Sequence, residues 1–209
     1  MKYKLWIYGQ PFTGKSYFAS QFPKPFCINT DGNAQFYEDK CPYVVVKNFK
    51  EFEKALSELD VAKYQTLIID VTEHIFDFSR EHFLEKNGVD HESDMEWGKG
   101  WTLVREGFWL LISKIARLDL NVVLVSHEDS YEVKNRVGVV KTYFRPLLIE
   151  KLQSRVAGIM HFVGRCYLDG DGKNKISFGN LETELTGNRL PIKENVIDNT
   201  YKSFISNLG

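Results

Sequence analysis

The sequence predicts an α/β fold: a mostly parallel, twisted sheet with helices on both faces and antiparallel strands in its last third. Three observations predict it. Gly9-Gln10-Pro11-Phe12-Thr13-Gly14-Lys15-Ser16 fills every fixed position of the phosphate-binding P-loop, G-x-x-x-x-G-K-[ST], directly after an apolar run. Continuous β-branched and aliphatic runs then alternate with helical patterns, as they do in a parallel sheet buried on both faces. Past Ser126 that rhythm stops, and Asp169-Gly170-Asp171-Gly172 supplies a hairpin turn.

Taken in order, residues 3–8 read as the first buried strand and residues 16–22 as the helix after the loop, which Pro23 and Pro25 cut short. Residues 26–30, 43–46, 66–70 and 121–126 read as four more strands, mostly without polar alternation. Helical spacing covers 49–59 and 73–86, and Trp101, Val104, Phe108, Leu111, Ile115 and Leu118 mark one stripe of a longer helix. The acidic stretch 87–97, with Gly88, reads as a mobile loop. Residues 137–144 and 158–168 read as strands, and the Asp-Gly turn leads into another over 175–178. No repeat, low-complexity tract or linker divides the chain, so one domain over 1–209 is expected.

At 209 residues, with 43% hydrophobic and 26% charged side chains, the chain can bury a full core, which sets aside disordered and membrane-spanning classes. No apolar run reaches the length of a membrane span and the N-terminus is used as a strand, so no membrane partner and a cytoplasmic location are expected. Cys27, Cys41 and Cys166 contain no C-x-x-C pair, which argues against a disulfide framework or zinc site and leaves Cys27 as a small core residue. His74, His82, His91 and His161 show no ligand spacing. Charge is uneven: residues 133–165 hold the bases Lys134, Arg136, Lys141, Arg145, Lys151, Arg155 and Arg165 against the single acid Glu150. Such a run suggests a basic face where a polyanion docks, unless its partners lie across the fold.

In a P-loop, backbone N–H groups converge on phosphate oxygens and the following helix points its positive end at them. Lys15 would reach the β- and γ-phosphates of ATP, and the Ser16 hydroxyl would ligate Mg²⁺. Thr66-Leu67-Ile68-Ile69-Asp70 is an apolar strand ending in an acid, as a Walker B segment does, so Asp70 joins Ser16 as a metal residue. Hydrolysis also needs a carboxylate to orient water. Asp31, ending the second strand, and Glu73, three residues past Asp70, are the candidates; read as plain structure they are a helix cap and a first-turn helix acid. The strand 121–126 delivers His127 to the same sheet edge, where it can contact the γ-phosphate or its water. Gly187-Asn188-Arg189 is a polar turn, and such an Arg in an oligomeric ATPase can reach a neighbour's γ-phosphate.

In this order the P-loop, the acid-ended second strand, a Walker B strand without a paired Asp-Glu, a strand ending in a polar sensor, a basic segment and a C-terminal hairpin resemble the RecA-like P-loop ATPases. More narrowly, Gly9 to Ser16, PKPFCINTDGN, TLIIDVTEH, EWGKGW and NVVLVSHED resemble the phage nucleotide-binding proteins of the Sak-type, RecA-like single-strand annealing group. The resemblance implies a RecA-like core, with Asp31 at the place of RecA's catalytic glutamate, Asp70 as the Walker B acid and His127 as the sensor. It therefore favours Asp31 over Glu73, and an acid one methylene shorter than glutamate implies slow hydrolysis. It implies contact with single-stranded DNA after His127, by Lys134, Arg136, Lys141 and Arg145 on phosphates and by Tyr143 and Phe144 on bases. Arg189 falls near the family's trans-acting base, which implies a homo-oligomer. A single-strand-binding protein as partner and the cytoplasm of a phage's host also follow from it. No polymerisation segment is expected ahead of the first strand, so RecA-type filaments are not implied.

Three alternatives remain from the residues themselves. A small-molecule P-loop kinase would carry lid arginines, which the acidic loop lacks. An AAA-type helicase loader suits Gly9-Gln10-Pro11 but normally has Asp-Glu in Walker B and a helical C-terminal lid, whereas Val71 follows Asp70 here. A nucleotide-gated interaction module would bind ATP without useful turnover.

Overall fold

In the computed structural model, which describes residues 1–95, 99–134, 137–179 and 182–209, the first strand is buried along its whole length. β1 (Lys4–Gly9) turns Trp6 and Tyr8 to one face of the sheet and Leu5 and Ile7 to the other, each pair inside its own apolar cluster. A strand with two dry faces has to be apolar throughout, which is why it shows no alternation. The chain continues through α1 (Lys15–Ser20), β2 (Pro25–Asn29), β3 (Tyr43–Val45), α2 (Phe49–Ser57), β4 (Thr66–Asp70), α3 (Thr72–Asn87), α4 (Gly100–Ala116) and β5 (Asn121–Lys134). It ends with β6 (Val140–Pro146), α5 (Glu150–Ala157), β7 (Phe162–Leu168), β8 (Asn174–Ser177), β9 (Gly187–Asn188), β10 (Val196–Asp198) and α6 (Tyr201–Asn207).

The strands lie in the order β10-β8-β7-β1-β5-β4-β2-β3, with β6 on β5 and β9 on β7. Every pairing from β7 through β1, β5, β4 and β2 to β3 is parallel, whereas β6, β8, β9 and β10 pair antiparallel. Helices α2 to α5 cover the Trp6 face through Phe52, Phe76, Phe108 and Leu152; α1 and α6 cover the other through Phe18 and Phe204. The α/β class expected of a RecA-like P-loop core is thus the one observed, with β5 inserted between the P-loop strand β1 and the strand β4 that ends in Asp70.

Several elements differ from the sequence expectation. β5 does not stop at Ser126; it runs to Lys134 because residues 128–134 pair antiparallel with β6. Residues 150–157 form α5, so the strand expected over 158–168 begins only at Phe162. The buried stripe of α4 is Val104, Phe108, Ile112 and Ile115, with Trp101 exposed and the helix ending before Leu118. In place of a loop open from residue 87, Gly88 ends α3 in a left-handed turn at φ 63° and Glu92, 2% exposed, is paired with Arg80; residues 96–98 lie outside the described residues. Cys27, Cys41 and Cys166 are free and buried. Among the described residues no helix is long and apolar enough to cross a membrane.

The short α6 is held by aromatic packing. The Phe204 ring meets those of Tyr3, Phe18, Phe22, Phe162 and Phe178 at centroid distances of 5.0 to 6.0 Å. Replacing Phe204 by Ala is expected to lower unfolding free energy by about 3–5 kcal/mol, the range for a buried phenylalanine, as measured by urea denaturation.

Candidate nucleotide site

Parallel pairing brings the carboxyl ends of β1, β5, β4 and β2 to one edge. Gly9 lies opposite His127, Asp70 opposite Val125 and Asn29 opposite Asp70, so four chain segments meet there. The loop after β1 has the shape its glycines permit. A Cβ on Gly9 would collide with the Cys166 carbonyl, and Gly14, at φ 81°, packs against the Asn199 amide. Thr13 Oγ1 donates to the Gln10 carbonyl at 2.7 Å, closing the loop on itself. Phe12, at φ 66° and 95% exposed, forms its crest.

Lys15 Nζ donates to the Gly9 and Gln10 carbonyls at 2.9 and 2.8 Å. Burial lowers its pKa, opposed by Asp70 and Glu73 among other groups, so this cation is held where an anion would be welcome. The Ser16 hydroxyl donates to Asp70 Oδ2 at 2.7 Å. Tyr37, from the short 3-10 turn Ala34–Tyr37, donates to that same oxygen at 2.7 Å. Asp70 is 5% exposed. Burial pushes its carboxyl above the ordinary range, against the hydroxyls of Ser16 and Tyr37 and the charge of Lys15.

This donor set fits a magnesium nucleotide. Mg²⁺ keeps most of its waters and takes one or two protein oxygens plus phosphates, and Ser16 and Asp70 provide two such oxygens beside a buried lysine. Among the described residues no cluster of three or more His, Cys, Asp and Glu side chains could cage a metal by itself, so phosphate and water would complete the shell.

The two candidate carboxylates are placed differently. Asp31 accepts from Asn29 Nδ2 at 2.8 Å and from the Asn33 backbone and side chain at 2.9 and 3.1 Å. Although half-burial raises its pKa, those bonds outweigh it and leave the carboxyl below its ordinary value. Glu73, in the first turn of α3, accepts the His127 backbone N–H at 2.8 Å and meets His127 Nδ1 at 2.6 Å through Oε1, while Oε2 is buried without a partner. A groove of about 370 Å³ opens beside this pair between His74, Asp77 and Leu147. Lys15, Asp70, Glu73 and His127 therefore form one electrostatic group, and Asp31 lies within its reach.

Arg189 does not join it. The Gly187–Asn188 turn pairs with the amino end of β7, the opposite edge of the sheet, and the Arg189 guanidinium donates to the Met160 and Gly158 carbonyls just past α5. Arg189 thus makes no contact with the chain's own site; the contact expected of it is with a neighbour's nucleotide. Much of the basic run is paired, because folding supplies acids from outside it. Lys141 pairs with Glu182 at 2.8 Å, Arg145 with Asp129 at 2.8 Å, Arg155 with Glu106, and Arg165 with Glu128 at 2.6 Å and Glu184 at 2.8 Å. Phe144 is half-buried, with the Arg165 guanidinium 3.5 Å over its ring, so it is not free to stack on a base. Tyr143 stacks on Tyr131 at 5.4 Å, Lys134 is exposed at the end of β5, and Arg136 lies outside the described residues.

Three contacts at the site carry no sequence signal. That of Tyr37 with Asp70 is the first. Asn199, between β10 and α6, donates to the Thr13 and Gly14 carbonyls at 2.9 and 3.0 Å and so braces the P-loop from behind. Gln10 donates to Glu128 at 3.0 Å, tying the loop to the residue after His127. All three act across long sequence separations, where spacing gives no signal.

A P-loop beside a Walker B acid, on a sheet with one strand between theirs, defines a P-loop ATPase domain. The chain belongs to the AAA domain family (AAA_24), whose model matches residues 1–190. No curated protein matches it. Among solved structures it is similar to the KaiC-like protein PH0186 from the hyperthermophilic archaeon Pyrococcus horikoshii OT3, at 14% identity over 84% of this chain and 76% of that one, with a TM-score of 0.45. Val71 follows Asp70, and the C-terminal part carries strands β7 to β10 and the short helix α6.

The Glu73 hydrogen bond, opposed by partial burial, raises the His127 pKa above the ordinary 6.5. A raised folded-state pKa means the contact contributes stability fully below the unfolded value and loses it as pH rises through the folded one. Glu73→Gln is expected to bring the His127 titration down, followed by its imidazole NMR signals against pH.

Proposed function

We propose that this chain is a Mg²⁺-dependent ATP switch that acts on single-stranded DNA and hydrolyses ATP slowly, in the manner of the phage annealing group its motifs resemble. One observation carries the reading. β5 runs unbroken from the site edge at Ser126 and His127 to Lys134, so whatever displaces His127 also moves the root of the β5–β6 hairpin. Ser16 and Asp70 would hold the metal, Lys15 the terminal phosphates, and the loop from Gly9 to Gly14 the remaining phosphate oxygens.

The unpartnered Oε2 of Glu73, in the group that also holds Lys15, Asp70 and His127, favours that residue over Asp31 as the carboxylate that orients water, because the bonds Asp31 accepts from Asn29 and Asn33 hold it in its own turn. On the hairpin, Lys134 and the Tyr131–Tyr143 pair supply a phosphate contact and a stacking surface. Lys141 is exposed, so water screens its pair with Glu182 and a phosphate can compete for it.

A second reading, a nucleotide-gated module for a protein partner, draws support from the exposed Tyr131, Val133 and Val140 on the hairpin and from the acids already paired with Lys141 and Arg145. ATP turnover measured with and without single-stranded DNA separates the two. DNA stimulation that disappears in Lys134→Ala/Tyr143→Ala, weakens with salt, and falls about a hundredfold or more in Glu73→Gln but less in Asp31→Asn supports the first reading. Turnover indifferent to DNA at low salt contradicts it.

A further inference from the structure

The magnesium site contains a hydroxyl that neither the P-loop nor the Walker B strand supplies. Tyr37 is 1% exposed, and its hydroxyl donates to Asp70 Oδ2 at 2.7 Å, the oxygen that Ser16 also uses at 2.7 Å. The segment that delivers it is built with care. After β2 ends, the Gly32 N–H donates to Asn29 Oδ1 at 3.0 Å and the Asn33 N–H to Asp31 Oδ1 at 2.9 Å. Gly32 turns at φ 80°, and the Lys40 and Cys41 N–H groups close on the Tyr37 carbonyl at 2.9 and 3.0 Å. Asp31 and its asparagine neighbours thereby set the course of the chain that carries Tyr37 to Asp70.

We propose that Tyr37 is the positioning residue of the metal site: its hydroxyl fixes the orientation of the Asp70 carboxylate, so that the site accepts Mg²⁺ without first ordering that side chain. The role rests on the Mg·ATP reading of the P-loop. A carboxylate in a buried pocket, held by Ser16 alone, would lose its orientation whenever Ser16 turned its oxygen to a metal; the tyrosine bond persists through that exchange. Burial explains why the ring is there, but a phenylalanine would fill the same space, and only the hydroxyl reaches Asp70.

The test is equilibrium binding of a fluorescent ATP analogue to the full chain over a MgCl₂ titration, for the native protein, Tyr37→Phe, Asp70→Asn and the double variant, with thermal melting of each. Tyr37→Phe is expected to raise the Mg²⁺ concentration for half-maximal affinity about tenfold, the scale of one hydrogen bond to a charged group, and to leave affinity in EDTA unchanged. Adding Tyr37→Phe to Asp70→Asn is expected to shift the Mg²⁺ response no further, because the hydroxyl acts through that carboxylate. An unchanged Mg²⁺ midpoint, with a lower melting temperature only, overturns the positioning role and makes Tyr37 a core residue. A native protein whose affinity ignores Mg²⁺ overturns the Mg·ATP reading itself, and the Tyr37 role with it.

Discussion

The parallel register of β1, β5 and β4 is the constraint on which the site depends. Each strand is buried on both faces, so a slip by one residue would exchange its two apolar sets and bring Gly9, Asp70 and His127 out of line. A buried polar contact helps specify that register: the Trp6 indole N–H donates to Ser126 Oγ at 2.9 Å, tying the P-loop strand to the strand of His127 one residue before it leaves the core. Both groups are fully buried, and misregister would orphan them. The register therefore makes one edge from three distant segments, and the chemistry follows from what each segment carries there.

The second support comes from the chain's far end. Asn199 braces the Thr13 and Gly14 carbonyls while the rings around Phe204 hold α6 against α1, so the loop that would grip phosphate is backed by residues beyond the 190 that the family model matches. On the other side, Gln10 and Glu128 link the same loop to the base of the hairpin, and Arg165 locks Glu128 and Glu184 under Phe144. The P-loop is thus bonded both to the C-terminal scaffold and to the segment proposed to handle a partner. On the proposed reading, this arrangement would carry nucleotide state to the hairpin through Glu73, His127 and Glu128.

What could be read from the sequence was whatever a fixed spacing encodes. The P-loop, the acid ending β4 and the parallel core were legible because each requires particular residues within one element. Tyr37 was not, since its partner is 33 positions away and its own turn carries no motif. The helix α5 escaped because its eight residues include only Leu152, Val156 and Gln153 as buried positions, too few to show a period. The pairing of the basic run was not legible for a related reason: Glu106, Glu182 and Glu184 lie outside it in sequence and against it in space. Asp31 lies at the end of β2, where its spacing puts it, and its bonds to Asn29 and Asn33, which spacing does not show, also shape the turn that follows.

The central claim is that nucleotide binding and the β5–β6 hairpin are one mechanical unit. Amide hydrogen exchange in the presence and absence of Mg·ATP addresses it most directly. The account predicts slowed exchange in residues 9–16 together with changed exchange in the described parts of 127–146, both lost in Lys15→Ala. Protection confined to the P-loop, with the hairpin unaffected, would contradict it.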